Sequence, residues 1–362
     1  MKKSLVALAV LAAAGAASAQ SSVTLFGGLD ANIGSYRADG ASVTKMNTSG
    51  LYSSRFGVRG VEDLGGGMNA QFWLEAGITP DSGTGQGTTL NNQASAAGTG
   101  NAGLTFNRRS TVALAGGFGE VRLGRDFTPG FRALTEFDPF GTLGVAQAST
   151  TSLMGTAPQT GVRASNGIAY LFNDGGFGAI KPGVYGQVQY RLGENASNAA
   201  GGTKNDGTGY GIRVGYAQGP LNVSVAYDAS KMVAANDKFT QTNFAGSYDL
   251  GVAKLMAQYD VNNSGVANTK VKNFLIGAQI PMGAGYIPVS YSAAKVENAA
   301  GSKAAQFGIG YVYNLSKRTS VYTSLAALSN KNGSALTVSG SGLAGVANKN
   351  SSGFEFGVKH SF

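Results

Sequence analysis

The sequence predicts an all-β fold, a 16-stranded antiparallel transmembrane β-barrel. Three observations lead there. Segment after segment alternates apolar and polar side chains with period two. The connections between these segments come in two sizes, seven short and eight long. No stretch after residue 20 reaches the roughly 18 apolar residues of a spanning helix, although the first twenty residues direct the chain out of the cell.

Those twenty residues carry Lys2 and Lys3, a short apolar run from Leu5 to Ala14, and Ala17-Ser18-Ala19. A basic start, an apolar stretch and a small-x-small site make a secretory signal peptide over residues 1–19, leaving residues 20–362 as the barrel. The strands follow. In the final segment, Phe354, Phe356, Val358, His360 and Phe362 fall on one parity, and Gly353, Glu355, Gly357, Lys359 and Ser361 on the other. Successive side chains of a strand point to opposite faces, so this strand has an oily and a wet face. Phe307, Ile309, Tyr311, Tyr313 and Leu315 repeat the pattern against Gln306, Gly308, Gly310 and Asn314, as do Val184, Val188, Tyr190 and Leu192 against Gln187, Gln189 and Arg191.

Short glycine-rich turns are expected near 64–67, 116–119, 174–178, 218–220, 249–251, 281–285 and 315–318. Long polar connections are expected near 36–50, 80–106, 128–162, 193–208, 229–238, 262–270, 295–304 and 330–351. Fifteen connections join sixteen strands, and the asymmetry places the short turns and both termini in the periplasm of a Gram-negative bacterium, the barrel in its outer membrane. A soluble β-sandwich would pack one parity into a core, but the wet parity here holds Gly, Gln, Asn, Ser and Arg. Closure is required in lipid, where an open sheet edge leaves backbone groups unpaired at several kcal/mol each. Sixteen strands enclose more space than side chains fill, which implies an aqueous channel.

Several chemistries are set aside by composition. The chain has no cysteine, which removes disulfides and thiolate metal sites. His360, the single histidine, sits on the lipid parity, so neither a metal site nor a histidine-assisted nucleophile is expected, and no cofactor is called for. Glu62-Asp63 abuts a glycine turn and reads as a solvated strand end. Gly116-Gly117-Phe118-Gly119 precedes a strand, unlike a phosphate-cradling loop. Residues 81–103 have the composition of a flexible extracellular loop that could reach a neighbouring subunit. Without Lys2 and Lys3 the 28 basic residues become 26 against 19 acidic ones, a net charge of +7. In an exported chain that excess does not point to nucleic acid.

Several motifs together resemble the general diffusion porins of Gram-negative bacteria, particularly the β-proteobacterial type. They are Ser21-Ser22-Val23-Thr24-Leu25-Phe26-Gly27, Ser54-Arg55-Phe56-Gly57-Val58-Arg59-Gly60 running into Glu62-Asp63-Leu64-Gly65-Gly66-Gly67, and Phe72-Trp73-Leu74-Glu75. Arg108-Arg109-Ser110-Thr111-Val112-Ala113-Leu114, Gly119-Glu120-Val121-Arg122-Leu123-Gly124-Arg125-Asp126, Asn314-Leu315-Ser316-Lys317-Arg318-Thr319 and the terminal Phe362 complete the set. The resemblance spans residues 20–362, dense at the strands and thin in the loops. It implies a homotrimer in contact with outer-membrane lipids and lipopolysaccharide, each barrel carrying its own pore and folding a constriction loop inward. Here that loop is Thr128 to Val162, with Pro129, Pro139 and Pro158. Phe362 is implied as the signal read by the barrel-assembly machinery.

Parity turns Arg55 and Arg59 toward the lumen, opposite Phe56 and Val58. Arg109 faces in with Thr111 and Ala113, and Arg108 would replace it if a bulge swapped the two. Ile168, Tyr170 and Phe172 outward would put Arg163 inward. The resemblance makes these the basic wall of the constriction, faced by Glu75, Asp126, Glu136 and Asp138 on an acidic side. Basic rings favour anions, and charges in a narrow low-dielectric passage are weakly screened, so an anion preference is expected unless ion pairs with Glu75, Glu120 or Asp126 cancel the arginines. The leading expectation is passive diffusion of small hydrophilic solutes and ions, with no enzymatic activity. The alternatives are a substrate-specific outer-membrane channel with saturable binding, a barrel enzyme of the protease or phospholipase type, and an adhesin scaffold.

Overall fold

The computed structural model describes residues 22–88, 92, 103–153, 161–174, 180–197, 203–231, 238–265, 269–297 and 300–362. The signal-peptide expectation lies outside these residues, as does most of 81–103. The sheet begins with β1 (Ser22–Ala38), β2 (Ala41–Thr48), β3 (Arg55–Gly65), β4 (Met68–Thr79), the two-residue β5 (Thr84–Gly85), β6 (Arg109–Gly116) and β7 (Gly119–Phe127). After α1 (Pro129–Glu136) and α2 (Ser149–Leu153) come β8 (Arg163–Phe172), β9 (Gly183–Arg191), β10 (Gly209–Gln218), β11 (Leu221–Lys231) and β12 (Lys238–Asp249). The chain ends with β13 (Lys254–Ser264), β14 (Thr269–Met282), β15 (Gly285–Val296), β16 (Lys303–Asn314), β17 (Thr319–Lys331) and β18 (Ser351–Ser361).

Successive strands pair antiparallel, except that β3 pairs with β1 and β6 with β4, and β1 pairs with β18 from Gly28–Ser361 to Ala38–Ser351, which closes the barrel. Beyond that ladder the backbone N–H groups of Gly27 and Phe362 each donate to the other's carbonyl at 3.1 Å. No sheet edge remains there to be satisfied by lipid.

The 36–50 segment differs from the expected long loop. It is a hairpin: β1 turns at Asp39 and Gly40, both with positive φ, and β2 returns beside it. The chain then leaves the sheet at 49–54 and rejoins as β3, which pairs with the first part of β1. β2 and β3 thus make a single crossing, and β5 stands apart on the end of β4, so the barrel has sixteen crossings. The excursion is held by Asp30, whose Oδ2 accepts from the backbone N–H of Leu51 at 2.7 Å and of Tyr52 at 2.6 Å. The Tyr322 hydroxyl donates to its Oδ1 at 2.6 Å. The polar run read as loop is therefore sheet: Asp39-Gly40 makes a two-residue hairpin turn and β2 pairs along the second half of β1, while the Asp30 carboxylate holds the excursion that follows.

The alternation expected for the strands is realised. In β18, Phe354, Phe356, Val358 and His360 are exposed on the outside while Gly353, Glu355 and Gly357 are buried. The outward belt continues through Val112, Leu114, Ile168, Tyr170, Val188, Tyr190, Phe274 and Phe307. The inner face is polar: Gln187, Gln189, Arg191, Asn243, Gln258, Asp260 and Asn273 are all buried behind it. The apolar surface meets lipid, and the polar surface encloses water.

Candidate functional site

The inner face of β3, β4, β6 and β7 gathers arginines through register alone. Arg59 pairs across from Trp73, Gly57 from Glu75, Glu75 in turn from Arg109, and Ala113 from Arg122. Directly paired residues share a face, so Arg55, Arg59, Trp73, Glu75, Arg109 and Arg122 form one continuous patch. Glu75, only 5% exposed, is its hub. Its Oε1 accepts from Arg108 Nε at 2.6 Å and Arg55 at 3.1 Å, and its Oε2 from Trp73 Nε1 at 3.0 Å. The Trp73 ring lies between the guanidinium carbons of Arg59 at 4.9 Å and Arg109 at 4.4 Å, a stacking that holds both cations without neutralising them. Arg109 Nε donates to Thr111 at 3.1 Å and lies 3.7 Å from Asp126. Arg122 bridges Glu120 at 2.6 Å and Asp126 at 2.5 Å.

Arg108 and Arg109 both reach this patch, so neither displaces the other. Arg163 lies beside it by a different route. The β7–β8 register shifts between Gly124 and Asp126, opposite Asn166 with its positive φ, so Asp126 pairs with Ala164 and Arg163 with Phe127. Alternation counted from Ile168 does not pass through such a bulge. The Arg163 guanidinium carbon sits 4.2 Å from the Phe127 ring centre. Arg122 was missed by the sequence-based selection, although it alternates with Val121 and Leu123 in a motif already singled out.

The segment after β7 folds into the barrel and lines the wall farther round. Thr128 caps α1, its hydroxyl accepting from the Phe131 N–H at 3.3 Å with Pro129 in the first turn. Asn222 Nδ2 donates to Glu136 at 2.6 Å, and Glu136 also pairs with Arg213, which tethers the helix end to β10 and β11. The Pro139 carbonyl accepts from Gln279 on β14 at 2.8 Å, and the Val145 N–H donates to Glu355 on β18 at 3.0 Å. The chain doubles back, Gln147 accepting at its carbonyl from Gln306 at 3.1 Å, Thr151 meeting Ser292 at 2.8 Å and Ser152 accepting from Asn262 at 2.7 Å. Val145 and Ala146 pack with Tyr36, Ala326, Leu328 and Val338.

The four expected acidic residues do not form one side opposite the arginines. Glu75 and Asp126 stand within the arginine patch. Glu136 points to Arg213 on the wall behind α1. Asp138 is 2% exposed and turned into its own loop, where it accepts from the N–H groups of Phe140 at 3.0 Å, Thr142 at 2.8 Å and Ala148 at 2.9 Å. Burial pushes its carboxyl up to about 6 despite those three donors. The reason for the difference is local: a buried turn with unpaired N–H groups draws in the nearest carboxylate. At the other end, Arg132 and Arg213 flank Asp174 at 3.3 Å each, and burial still holds the Asp174 carboxyl above the usual range.

His360 lies outward, its Nδ1 2.9 Å from the Thr319 hydroxyl. Glu62 and Asp63 are exposed, and Asp63 accepts from the turn N–H of Gly65 at 2.8 Å. Among the described residues no group of three or more His, Cys, Asp or Glu side chains could hold a metal ion.

Residues 4–333 match a protein family described as Gram-negative porin. The chain is 38% identical to outer membrane porin protein 32 of Delftia acidovorans, with all of both chains covered. It is 29% identical to an outer membrane porin protein of Bordetella pertussis, over 89% of this chain and 93% of that one. Among solved structures it resembles an anion-selective porin from Comamonas acidovorans with a TM-score of 0.80 and 34% identity, covering 95% of this chain and 100% of that one. With its closed sixteen-stranded barrel and polar lumen, the chain belongs to the Gram-negative porin family, whose members are outer-membrane diffusion channels.

Proposed function

We propose that this channel passes small hydrophilic solutes with a preference for anions, and that Arg55, Arg59, Arg108, Arg109 and Arg122 on the β3–β7 wall set that preference. The observation that carries the reading is a charge imbalance. These five arginines share the patch with three carboxylates, Glu75, Glu120 and Asp126. The ion pairs lower the positive field without cancelling it, and basic linings favour anions. The carboxylates of the inward loop add little opposition, since Glu136 is paired with Arg213 and Asp138 is buried. The related anion-selective porin from Comamonas acidovorans supports the same sign.

Arg163 belongs to the rim of this narrowing, 4.2 Å above Phe127. Glu75 and Asp126 act within the basic wall, and Glu136 and Asp138 hold the loop in place. The same reading includes a homotrimer, a signal peptide over residues 1–19, and recognition of Phe362 by the assembly machinery.

Reversal potentials across a planar bilayer under a potassium chloride gradient test the proposal. The wild type is expected to favour chloride, and the combined R55Q, R59Q and R109Q variant to lose several-fold of that ratio. A cation-selective wild type would overturn it.

A further inference from the structure

Where the inward loop passes β13–β17 it leaves space against the wall. Lys254 pairs across from Gln279, Gln279 from Pro288, and Gly310 from Ser324. A Cβ on Gly310 would meet Pro288 at 3.3 Å and Ser324 at 3.0 Å, so these five positions run as one row around the inner face. Tyr286 and Val312, paired with each other, stand one level nearer the short turns. The loop faces this row with Pro139 and Phe140. Pro139 is pinned there, its carbonyl accepting from Gln279 at 2.8 Å, and a Cβ on Gly277 would meet its ring at 2.6 Å. Between loop and wall lies a cavity of about 270 Å³.

The cavity is ordered from end to end. Lys254 brings an ammonium to one end, Ser324 and Tyr286 bring hydroxyls to the other, and Pro288, Phe140, Pro139 and Met256 make the middle apolar. The side chains of Lys254, Tyr286 and Ser324 make no hydrogen bond or ion pair among the described residues. The nearby carboxylates are engaged. Glu136 holds Arg213 and Asn222, and Asp138 accepts from three N–H groups of its own loop. Asp249, opposite Lys254 in the ladder, accepts from the turn N–H of Gly251 at 2.8 Å. The Lys254 ammonium is thus the charge that a guest would meet.

Two magnitudes select the guest. An apolar cavity of about 150 Å³ takes up benzene, and pockets for drug-sized ligands begin near 300 Å³, so this space suits one substituted ring. Four strand spacings of about 4.8 Å separate Lys254 from Ser324 along the wall. That is too far for both to hold one carboxylate. A ligand that satisfies both ends is polar at each end and apolar between.

We propose that this cavity binds a small aromatic carboxylate with a hydroxyl group on the far side of its ring. The carboxylate meets Lys254, the ring lies between Pro288 and Phe140, and the hydroxyl turns toward Ser324 and Tyr286. The site deepens the anion reading by naming one class of anion, and it rests on that reading only for admission of the ligand to the pore.

The experiment measures binding of 4-hydroxybenzoate to the purified barrel by saturation-transfer NMR, with heat-modifiable mobility as the check on folding. The wild type is expected to bind it saturably, benzoate several-fold more weakly, and the uncharged 4-hydroxybenzyl alcohol at least tenfold more weakly. K254Q should lose at least tenfold in affinity for 4-hydroxybenzoate, F140A several-fold, and K317Q, at an exposed turn, nothing. S324A/Y286F should bind 4-hydroxybenzoate and benzoate equally, which keeps the test open should F140A disturb the loop. Absence of saturable binding in the wild type, or unchanged affinity in K254Q, overturns the proposal. So does a loss that follows R55Q/R59Q/R109Q instead of K254Q, which would put the carboxylate on the arginine patch and leave the selectivity reading intact. A cation-selective wild type that still binds the acid through Lys254 would sink that reading and support this site.

Discussion

The backbone N–H of Val145 donates to Glu355 Oε1 at 3.0 Å, joining the inward loop to the last strand of the barrel. This bond spans the lumen's circumference in sequence, since the loop leaves from β7. Gly144 precedes it with φ of +65°, and a side chain there would meet Glu355 Oε1 at 2.3 Å and the Gly50 carbonyl at 2.5 Å. The loop can therefore sit this close only with glycine at that position. Glu355→Ala and Gly144→Val should each free this part of the loop, seen as larger open-channel current fluctuations in single-channel records. A steady wild-type current in both variants would show that the loop is held by its other contacts.

Glu75 is shared by Arg55, Arg108 and Trp73. Glu75→Gln should raise the chloride preference, because it removes one of three carboxylates facing five arginines. It should also cost about 2 kcal/mol of stability, the scale of lost hydrogen bonds to a charged group, measured by urea unfolding in vesicles. An unchanged chloride preference would place Glu75 outside the field sensed by ions.

Arg122 holds Glu120 and Asp126 together at 2.6 and 2.5 Å. Arg122→Gln leaves the two carboxylates without their shared cation. The expected result is a shift of reversal potential toward cation permeation, larger than that of any single substitution at Arg163. Equal shifts would mean that distance from the passage, not pairing, governs the effect.

Asp138 provides a pH test. Its carboxyl is raised to about 6 in the folded protein, against an ordinary value of 3.8. The folded state therefore holds the proton more tightly than the unfolded chain does, and stability rises as pH falls from above 6 toward 3.8. Between pH 7 and pH 5 the wild type should gain thermal stability that Asp138→Asn does not gain, measured by circular dichroism at both pH values. The same gain in the variant would assign the titration elsewhere.

Much of this architecture was legible in the residues themselves. Period-two alternation depends only on strand geometry, so Phe354, Phe356 and Val358 declared their face without knowledge of any partner. Arg55, Arg59 and Arg109 followed for the same reason. What was not legible depended on groups distant in sequence. The 49–54 excursion depends on Asp30 and Tyr322, which lie 292 positions apart; the 36–50 hairpin, by contrast, carried a local signal in Asp39-Gly40 that its polar composition masked. The orientation of Asp138 follows from a turn whose N–H donors come from as far as Ala148. The route by which Arg163 comes beside the patch was not legible, because a register shift interrupts the alternation between it and Ile168.

The pairing of Gly27 with Phe362 makes the seam the place where the register of every strand has to add up. The first and last strands are neighbours, so the loop-closure entropy of the whole ladder is met only at the final seam. Until β18 arrives beside β1, both carry a row of unpaired amides that lipid does not tolerate. A chain that slips in register along the way leaves that row of amides unpaired.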